Sequence, residues 1–302
     1  MEYLIVIPAH RPKINWLVSF LNSVALHAVP SEAKILVIAS DRNDHHYFTQ
    51  ALSHHRLAAN LLFLDAEAWI RDNLGSDALV ERLRQNTDRC AINLKKFVGL
   101  SWALQNGVET TICLDSDTLA VAGLARIHEV AQGNHEEALY IGGSIGRAPN
   151  RDLLAGIVRE SATLFAPAAR LEIAARTNGH TLYTWFADMP VYGAEHLRGF
   201  FACMEATHGS LALFLAALRW ETFDHLLYMF YRVCFHGARI FDCHKELGIR
   251  AIPELLTPRE LFQIGTATGY DVGWMSAGKA YDHPEAFRIL PNLSLLSHFD
   301  RL

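Results

Sequence analysis

The sequence predicts a three-layer α/β/α sandwich around a mainly parallel sheet. Three observations carry this: short β-branched apolar runs recur along the first hundred residues, amphipathic stretches of helical period separate them, and each run ends in a polar loop. Tyr3-Leu-Ile-Val-Ile7 is the first run, uniformly apolar as a strand buried on both faces must be, and Pro8 ends it. The loop Pro8-Ala9-His10-Arg11-Pro12 follows, then a segment with Trp16, Leu17, Phe20, Leu21 and Val24 at helical spacing. Ala33 to Ile38 repeats the strand pattern and opens into the loop Ser40-Asp41-Arg42-Asn43-Asp44, and Leu61 to Leu64 makes a third strand ending at Asp65.

Residues 76 to 106 read as helical. Leu94, Phe97, Val98, Leu100 and Leu104 lie on the inner side of the second part, and Gly107 stands where a C-terminal cap requires glycine. Thr110-Thr-Ile-Cys-Leu114 then runs straight into Asp115-Ser116-Asp117. Strand side chains alternate faces, so carboxylates at i and i+2 are expected to point the same way. Close carboxylates repel unless a cation sits between them, and hard oxygen ligands suit Mg²⁺ or Mn²⁺. The C-terminal end of a strand is also where α/β sheets bind ligands. The alternative for an isolated Asp-x-Asp is a polar turn that caps a helix.

Beyond this point Ala138 to Ile141 is a strand candidate, broken by Gly142-Gly143, and the pattern is helical from Arg151 to about Gly179. Tyr183 to Tyr192 is aromatic-rich with Asp188 in its middle. Helices are expected from Ala194 to Ala206 and from Leu211 to His236, and the tail from Pro253 is rich in Gly, Pro and aromatic residues, with a loop from Gly273 to His283. No repeat or linker interrupts the 302 residues, so a single domain is expected, with a nucleotide-type half over 1–120 and a second half over 121–302 that shapes the rest of the cleft.

Composition narrows the function classes. A net charge of −5 without a basic run interleaved with aromatics argues against nucleic acid as a partner. The five cysteines are odd in number and scattered, with neither a disulfide framework nor a Cys-x-x-Cys zinc pattern, which points to a reducing compartment. The N-terminal run lacks a basic flank and is short for a signal peptide, and the apolar stretch from Ser210 to Leu218 falls short of the roughly 20 residues of a spanning helix. A cytoplasmic protein is expected, with peripheral membrane association left open. The sequence is silent on oligomeric state.

A first strand ending in Ile-Pro-Ala-His-Arg, a second followed by an Asp, a helix bearing Asn and Lys, and then Ile112-Cys-Leu-Asp-Ser-Asp-Thr118 resembles the GT-A class of nucleotide-sugar glycosyltransferases. Ala187-Asp-Met-Pro-Val-Tyr192 and Phe223-Asp-His-Leu-Leu-Tyr228 are similar to stretches of bacterial polysaccharide and lipooligosaccharide enzymes of that class. The chain departs at His225, where those relatives carry Glu, and lacks the His-x-x-Gly-x-x-Lys-Pro-Trp ending of one retaining branch. The resemblance implies a GT-A-like fold with a Rossmann-like first half, a nucleotide-sugar donor, a glycan or glycolipid acceptor, and Mn²⁺ or Mg²⁺.

Residue by residue it implies that Pro8, Ala9, His10, Arg11 and Asp41 hold base and ribose, that Asn93 or Lys96 touches nucleotide or sugar, and that Asp115 and Ser116 join them. Of the adjacent Lys95 and Lys96, one is expected in the cleft and the other at the surface. The resemblance also implies a metal bound by Asp115 and Asp117, with His298 as a third ligand and His283 as its substitute. Asp224 is read as the reacting carboxylate, and Asp188, among Trp185, Phe186, Pro190 and Tyr192, as the acceptor's partner. Glycosyl transfer needs a carboxylate near the anomeric carbon, as a base or to stabilise an oxocarbenium-like state.

Two other enzyme classes fit less well, and one binding function remains. A haloacid-dehalogenase-type phosphatase needs Thr or Val where Leu119 stands and an Asp-x-Asp near the domain's start. A sugar nucleotidyltransferase needs a Gly-rich first loop. A catalytically silent nucleotide-sugar or glycan-binding domain would use the same binding residues, and only turnover separates it from a transferase.

Overall fold

The structure is a computed structural model that describes residues 3–86, 90–144, 151–177, 189–250 and 256–299, and the backbone of 182–183. In the first half β1 (Tyr3–Pro8), α1 (Ile14–Val24), β2 (Lys34–Ala39), α2 (Arg42–Leu52) and β3 (Leu61–Asp65) alternate as the sequence pattern requires. Then come α3 (Ala66–Leu74), α4 (Asp77–Gln85), α5 (Ala91–Gln105), β4 (Thr110–Cys113), the short β5 (Leu119–Ala120) and α6 (Leu124–Glu136). The second half holds β6 (Leu139–Ser144), α7 (Arg151–Thr163), α8 (Pro167–Arg176), β7 (Leu182–Tyr183), β8 (Val191–Gly193), α9 (Ala194–His208), α10 (Leu211–Ala217) and α11 (Asp224–Phe235). It closes with β9 (Arg239–Asp242), α12 (Cys243–Leu247), α13 (Pro258–Thr268), β10 (Trp274–Ser276), α14 (Ala277–Asp282), α15 (Ala286–Ile289) and β11 (Leu295–Ser297).

The central sheet runs β3-β2-β1-β4-β8, parallel except for β8 at the edge beside β4. Leu4 and Val6 of β1 pack with α3, α4, α5 and α9 to α11, whereas Ile5 and Ile7 pack with α1, α2 and α6. Alternate side chains therefore feed two cores on opposite faces, which is the three-layer arrangement the uniformly apolar strands predict. The chain leaves β1 toward β2 on one side and returns as β4 on the other. A crevice must open beyond the carboxyl ends of β1 and β4, where the order of connection reverses.

Gly99 lets α5 lie close on this sheet: a Cβ there would come within 2.5 Å of Ile38 Cδ1 and 2.6 Å of Val6 Cγ1. The first turns of α5 are thereby drawn toward the mouth of the crevice. Two three-stranded sheets flank the central one, β10-β11-β5 and β7-β6-β9, with a smaller core around Ile141, Leu261 and Leu296. Among the described residues no single helix is long and apolar enough to cross a membrane; α9 and α10 pass such a test only together, across an 81° bend.

Several expected boundaries shift. The helix expected over 76–106 divides at Asn86, which takes a left-handed conformation (φ 45°) and closes α4. That over 151–179 divides at Pro167, which opens α8 because proline lacks the N–H that an unbroken helix would need. The expected helix over 211–236 divides at Leu218, which is extended, and α11 starts afresh at Asp224. Gly142 and Gly143 do not break β6 but stay in its ladder, paired with β9 and β7. The loop expected over 273–283 contains β10 and α14, elements too short to show a period in the sequence.

Candidate functional site

A cavity of about 420 Å³ occupies the crevice. Pro8, Ala9 and His10 line it from the loop after β1, together with Lys13 and Trp16 at the start of α1. Asp115, Ser116 and Asp117 line it from the turn after β4, His298 from the end of β11, and Asn86, Ala91, Ile92 and Lys95 from the approach to α5. Seven of the residues singled out in the sequence, Pro8, Ala9, His10, Asp115, Ser116, Asp117 and His298, thus meet in one place although nearly the whole chain separates them. The size suits a small-molecule ligand.

The acidic pair reaches the cavity by a different route from the expected one. β4 stops at Cys113, so Asp115 and Asp117 stand in a turn and strand alternation does not govern them. Asp115 points to the Lys96 ammonium at 3.0 Å, and Asp117 lies 3.5 Å from His298 Nδ1. His298 is held there by its backbone: it takes φ 56°, rare for a side chain with a Cβ, and the next residue, Phe299, donates its N–H to the Asp117 carbonyl at 3.2 Å. Phe299 also meets the edge of Trp16, whose face carries the Lys13 ammonium 3.8 Å from its centroid. The end of β11 is therefore fastened to the acidic turn. His283, the substitute considered for His298, instead lies 3.4 Å from Glu285 and does not line the cavity.

Behind Asp115 lies a buried ionic cluster. Lys96 spans Asp115 and Asp224, the latter at 3.3 Å, and the other oxygen of Asp224 accepts the Tyr192 hydroxyl. β8 brings Tyr192 into register with Thr111 beside Lys96, and α11 presents Asp224 in its first turn, where the helix dipole favours a carboxylate. Burial alone would lower the Lys96 pKa, but Asp115 and Asp224 together outweigh it and hold it well above the usual lysine value. Burial, with Asp224 adding to it, pushes the Tyr192 hydroxyl well above its ordinary range, so it stays a donor. His225 is also buried, in contact with the rings of Tyr140 and Tyr192, and burial pulls its pKa down to about 4.

These contacts correct several expectations. Asp224 has only 3% of its side chain exposed, has both oxygens engaged and does not line the cavity, so it reaches the crevice only through Lys96. Tyr192 is likewise a buried donor and not a stacking platform. Neither lysine is a surface charge, since Lys95 and Lys96 are both buried. Asn93 turns from the cavity and donates to the carbonyls of Arg219 and Trp220, tying α5 to the loop before α11. Arg11 pairs with Asp44 at 3.1 Å and lies over the Tyr47 ring, and Asp41 caps α2 through the Asp44 N–H. Asp188 lies outside the described residues. Lys13 and Asn86 escaped notice in the sequence because each resembles an ordinary helix-surface or helix-end residue, and Trp16 read only as an apolar position of α1.

No protein-family profile and no curated protein sequence matches the chain. Solved structures do. Mouse xyloside xylosyltransferase 1 matches over 99% of this chain and 98% of its own, at 11% identity and TM-score 0.48. The galactosyltransferase LgtC, in complex with donor and acceptor sugar analogues, matches over 51% of each chain at 16% identity and TM-score 0.30. TarS of S. aureus in complex with UDP matches over 97% of this chain and 70% of its own, at 13% identity and TM-score 0.38. Two of these three are glycosyltransferases by name. At such scores the likeness supports no inference about this chain, whose functional reading rests on the side chains of the cavity.

Proposed function

We propose that this chain transfers a sugar from a nucleotide-sugar donor to a glycan or glycolipid acceptor with the help of Mn²⁺ or Mg²⁺. The observation that carries the reading is the charge layout of the crevice: Asp115 and Asp117 enter from the turn after β4, while His10, Lys13 and Lys95 enter from the loop after β1 and from α5. A ligand that satisfies both must bring an anionic part and a cation, as a metal-bound nucleoside diphosphate does.

The donor set fits such a metal in kind. Asp117 and His298 are already neighbours, and Asp115 supplies a second carboxylate from the same turn. Among the described residues no three His, Cys, Asp or Glu side chains yet converge as a finished shell, and Asp115 is turned to Lys96. When bound, the metal neutralises charge on the departing diphosphate. The chain's own residues bind and orient: the Pro8 to His10 loop faces the nucleotide, and Lys96, fixed by Asp224 and Tyr192, holds Asp115 in place. In the transfer the anomeric carbon's bond to the phosphate oxygen breaks as its bond to the acceptor oxygen forms, the nucleoside diphosphate leaves, and the acceptor's hydroxyl proton passes to the departing diphosphate or to water.

The test is a thermal-shift screen of UDP-, GDP-, CMP- and dTDP-sugars with and without Mn²⁺, since a ligand of the folded state at 100 times its Kd stabilises by about 2.7 kcal/mol. One donor should raise the melting temperature only with the metal, and turnover should accompany it. Asp117→Asn and His298→Ala should lose the metal-dependent part while folding normally. Full stabilisation and turnover in EDTA would refute the metal, and stabilisation without turnover on any acceptor would mark a binding domain.

A further inference from the structure

A second cavity, of about 620 Å³, lies outside the crevice. Its walls are the ends of α7, α9 and α10, Arg82 of α4, and the loop from Leu218 to Glu221 that leads into α11. This is a size for small-molecule ligands, whose sites measure about 300–1,000 Å³. The loop is fixed through its backbone. The Thr222 hydroxyl accepts the Arg219 N–H at 2.8 Å and donates to the Arg219 carbonyl at 2.7 Å, and Asn93 holds the carbonyls of Arg219 and Trp220. Arg82 spends its donors on the carbonyls of Leu215, Ala216 and Leu218, and His208 donates to the Leu164 carbonyl at 2.8 Å.

Three side chains of the loop are left for a ligand. Trp220 is 37% exposed and meets no other aromatic ring among the described residues. Glu221 is half-buried: its carbonyl accepts the Ser161 hydroxyl at 3.2 Å, but its carboxylate forms no ion pair among the described residues. Arg219 leans on Glu160 at 3.5 Å through one nitrogen and keeps further donors. An apolar ring, an unpaired carboxylate and a guanidinium suit a ligand that has apolar C–H faces and many hydroxyls. The ring covers a face, the carboxylate accepts hydroxyls in charge-assisted hydrogen bonds, and the same carboxylate repels an anion.

The cavity also neighbours the crevice. Arg82 precedes Asn86 by one turn, and Asn93 follows Ala91 and Ile92; Asn86, Ala91 and Ile92 all line the crevice. The end of α4 and the start of α5 therefore stand between the two. We propose that the second cavity binds a neutral oligosaccharide, the distal sugar units of an acceptor chain whose reacting end enters the crevice. The inference rests on the glycan-acceptor reading above and deepens it by naming where an extended acceptor is held.

The experiment is calorimetric titration of wild type, Trp220→Ala and Glu221→Gln with linear tetrasaccharides of glucose, galactose, mannose and N-acetylglucosamine, each beside its monosaccharide, without donor or metal. One tetrasaccharide should bind wild type more tightly than its monosaccharide does. Trp220→Ala should weaken that binding at least tenfold and Glu221→Gln several-fold, with melting temperatures unchanged because backbone groups hold the loop. With the same tetrasaccharide as acceptor, Trp220→Ala should raise KM and leave kcat, and with the monosaccharide it should alter neither. No tetrasaccharide binding by wild type, or equal affinity in wild type and Trp220→Ala, overturns the proposal. So does inorganic phosphate that displaces the tetrasaccharide and is itself lost in Arg219→Ala, which would mark an anion site. Should Trp220→Ala fail to fold, Glu221→Gln decides, and unchanged affinity there overturns it. Tetrasaccharide binding lost in Trp220→Ala, with no transfer from any donor, sinks the transferase reading and leaves the site. Transfer to a monosaccharide with no tetrasaccharide binding does the reverse.

Discussion

Replacing Lys96 with methionine tests whether the buried cluster behind Asp115 holds the site together. Lys96 Nζ lies 3.0 Å from Asp115 and 3.3 Å from Asp224. At an effective dielectric constant of 20 each contact corresponds to about 5 kcal/mol of Coulomb attraction, against which stands the cost of burying the charges. Asp115 has 40% of its side chain exposed, so solvent screens its share, whereas Asp224 has 3%. The Lys96→Met chain keeps the packing of the stem but strands the Asp224 carboxylate in the interior with Tyr192 as its remaining donor. Breaking a buried pair from one side costs about 3–5 kcal/mol.

Urea denaturation at pH 7.5 should show a loss of that size, read as a lower midpoint at unchanged slope. The double variant Lys96→Met, Asp224→Asn should recover much of the stability, since asparagine still accepts the Tyr192 hydroxyl and carries no charge. A loss below about 1 kcal/mol, or additive losses in the double variant, would refute the coupling.

Acid should weaken the fold through its histidines. Burial, with Arg232 second, lowers the His135 pKa to about 3, and burial lowers that of His225 to about 4, whereas both protonate near 6.5 when unfolded. The unfolded chain therefore holds up to two extra protons, and the stability these neutral histidines give is full above pH 6.5 and lost as pH falls, at up to about 2.7 kcal/mol per pH unit. His135→Gln should remove about half of that slope in urea midpoints taken between pH 6.5 and 5, and an unchanged slope would count against it. Gly99→Ala should be destabilising, because the clash with Ile38 and Val6 costs about 1–3 kcal/mol and the helix-propensity gain of about 1 kcal/mol does not offset it in full. Because α5 carries Lys95 and Lys96, the same variant should weaken nucleotide binding in the thermal-shift assay. Unchanged stability would show that the helix can move away freely.

The parallel sheet was legible because strands buried on both faces must be apolar throughout, so Tyr3–Ile7, Ala33–Ile38 and Leu61–Leu64 announce themselves without any tertiary information. The Asp-Ser-Asp turn and the first loop were legible for a related reason: polar residues at the carboxyl end of such strands have little to do in a core. What the sequence left open were contacts whose partners lie far apart in the chain. Lys95 and Lys96 are neighbours of one residue type, and only the close seating of α5 at Gly99, the approach of β8 and the start of α11 bury both and send one to Ala9, the other to Asp115 and Asp224. Asp224 likewise reads as a helix-opening acid with a free oxygen, and becomes a sealed one once Tyr192 and Lys96 close on it. Local pattern determined the strands and loops because backbone geometry and burial act within a few residues; the charges were decided by the tertiary structure because desolvation and pairing depend on whatever packs against them.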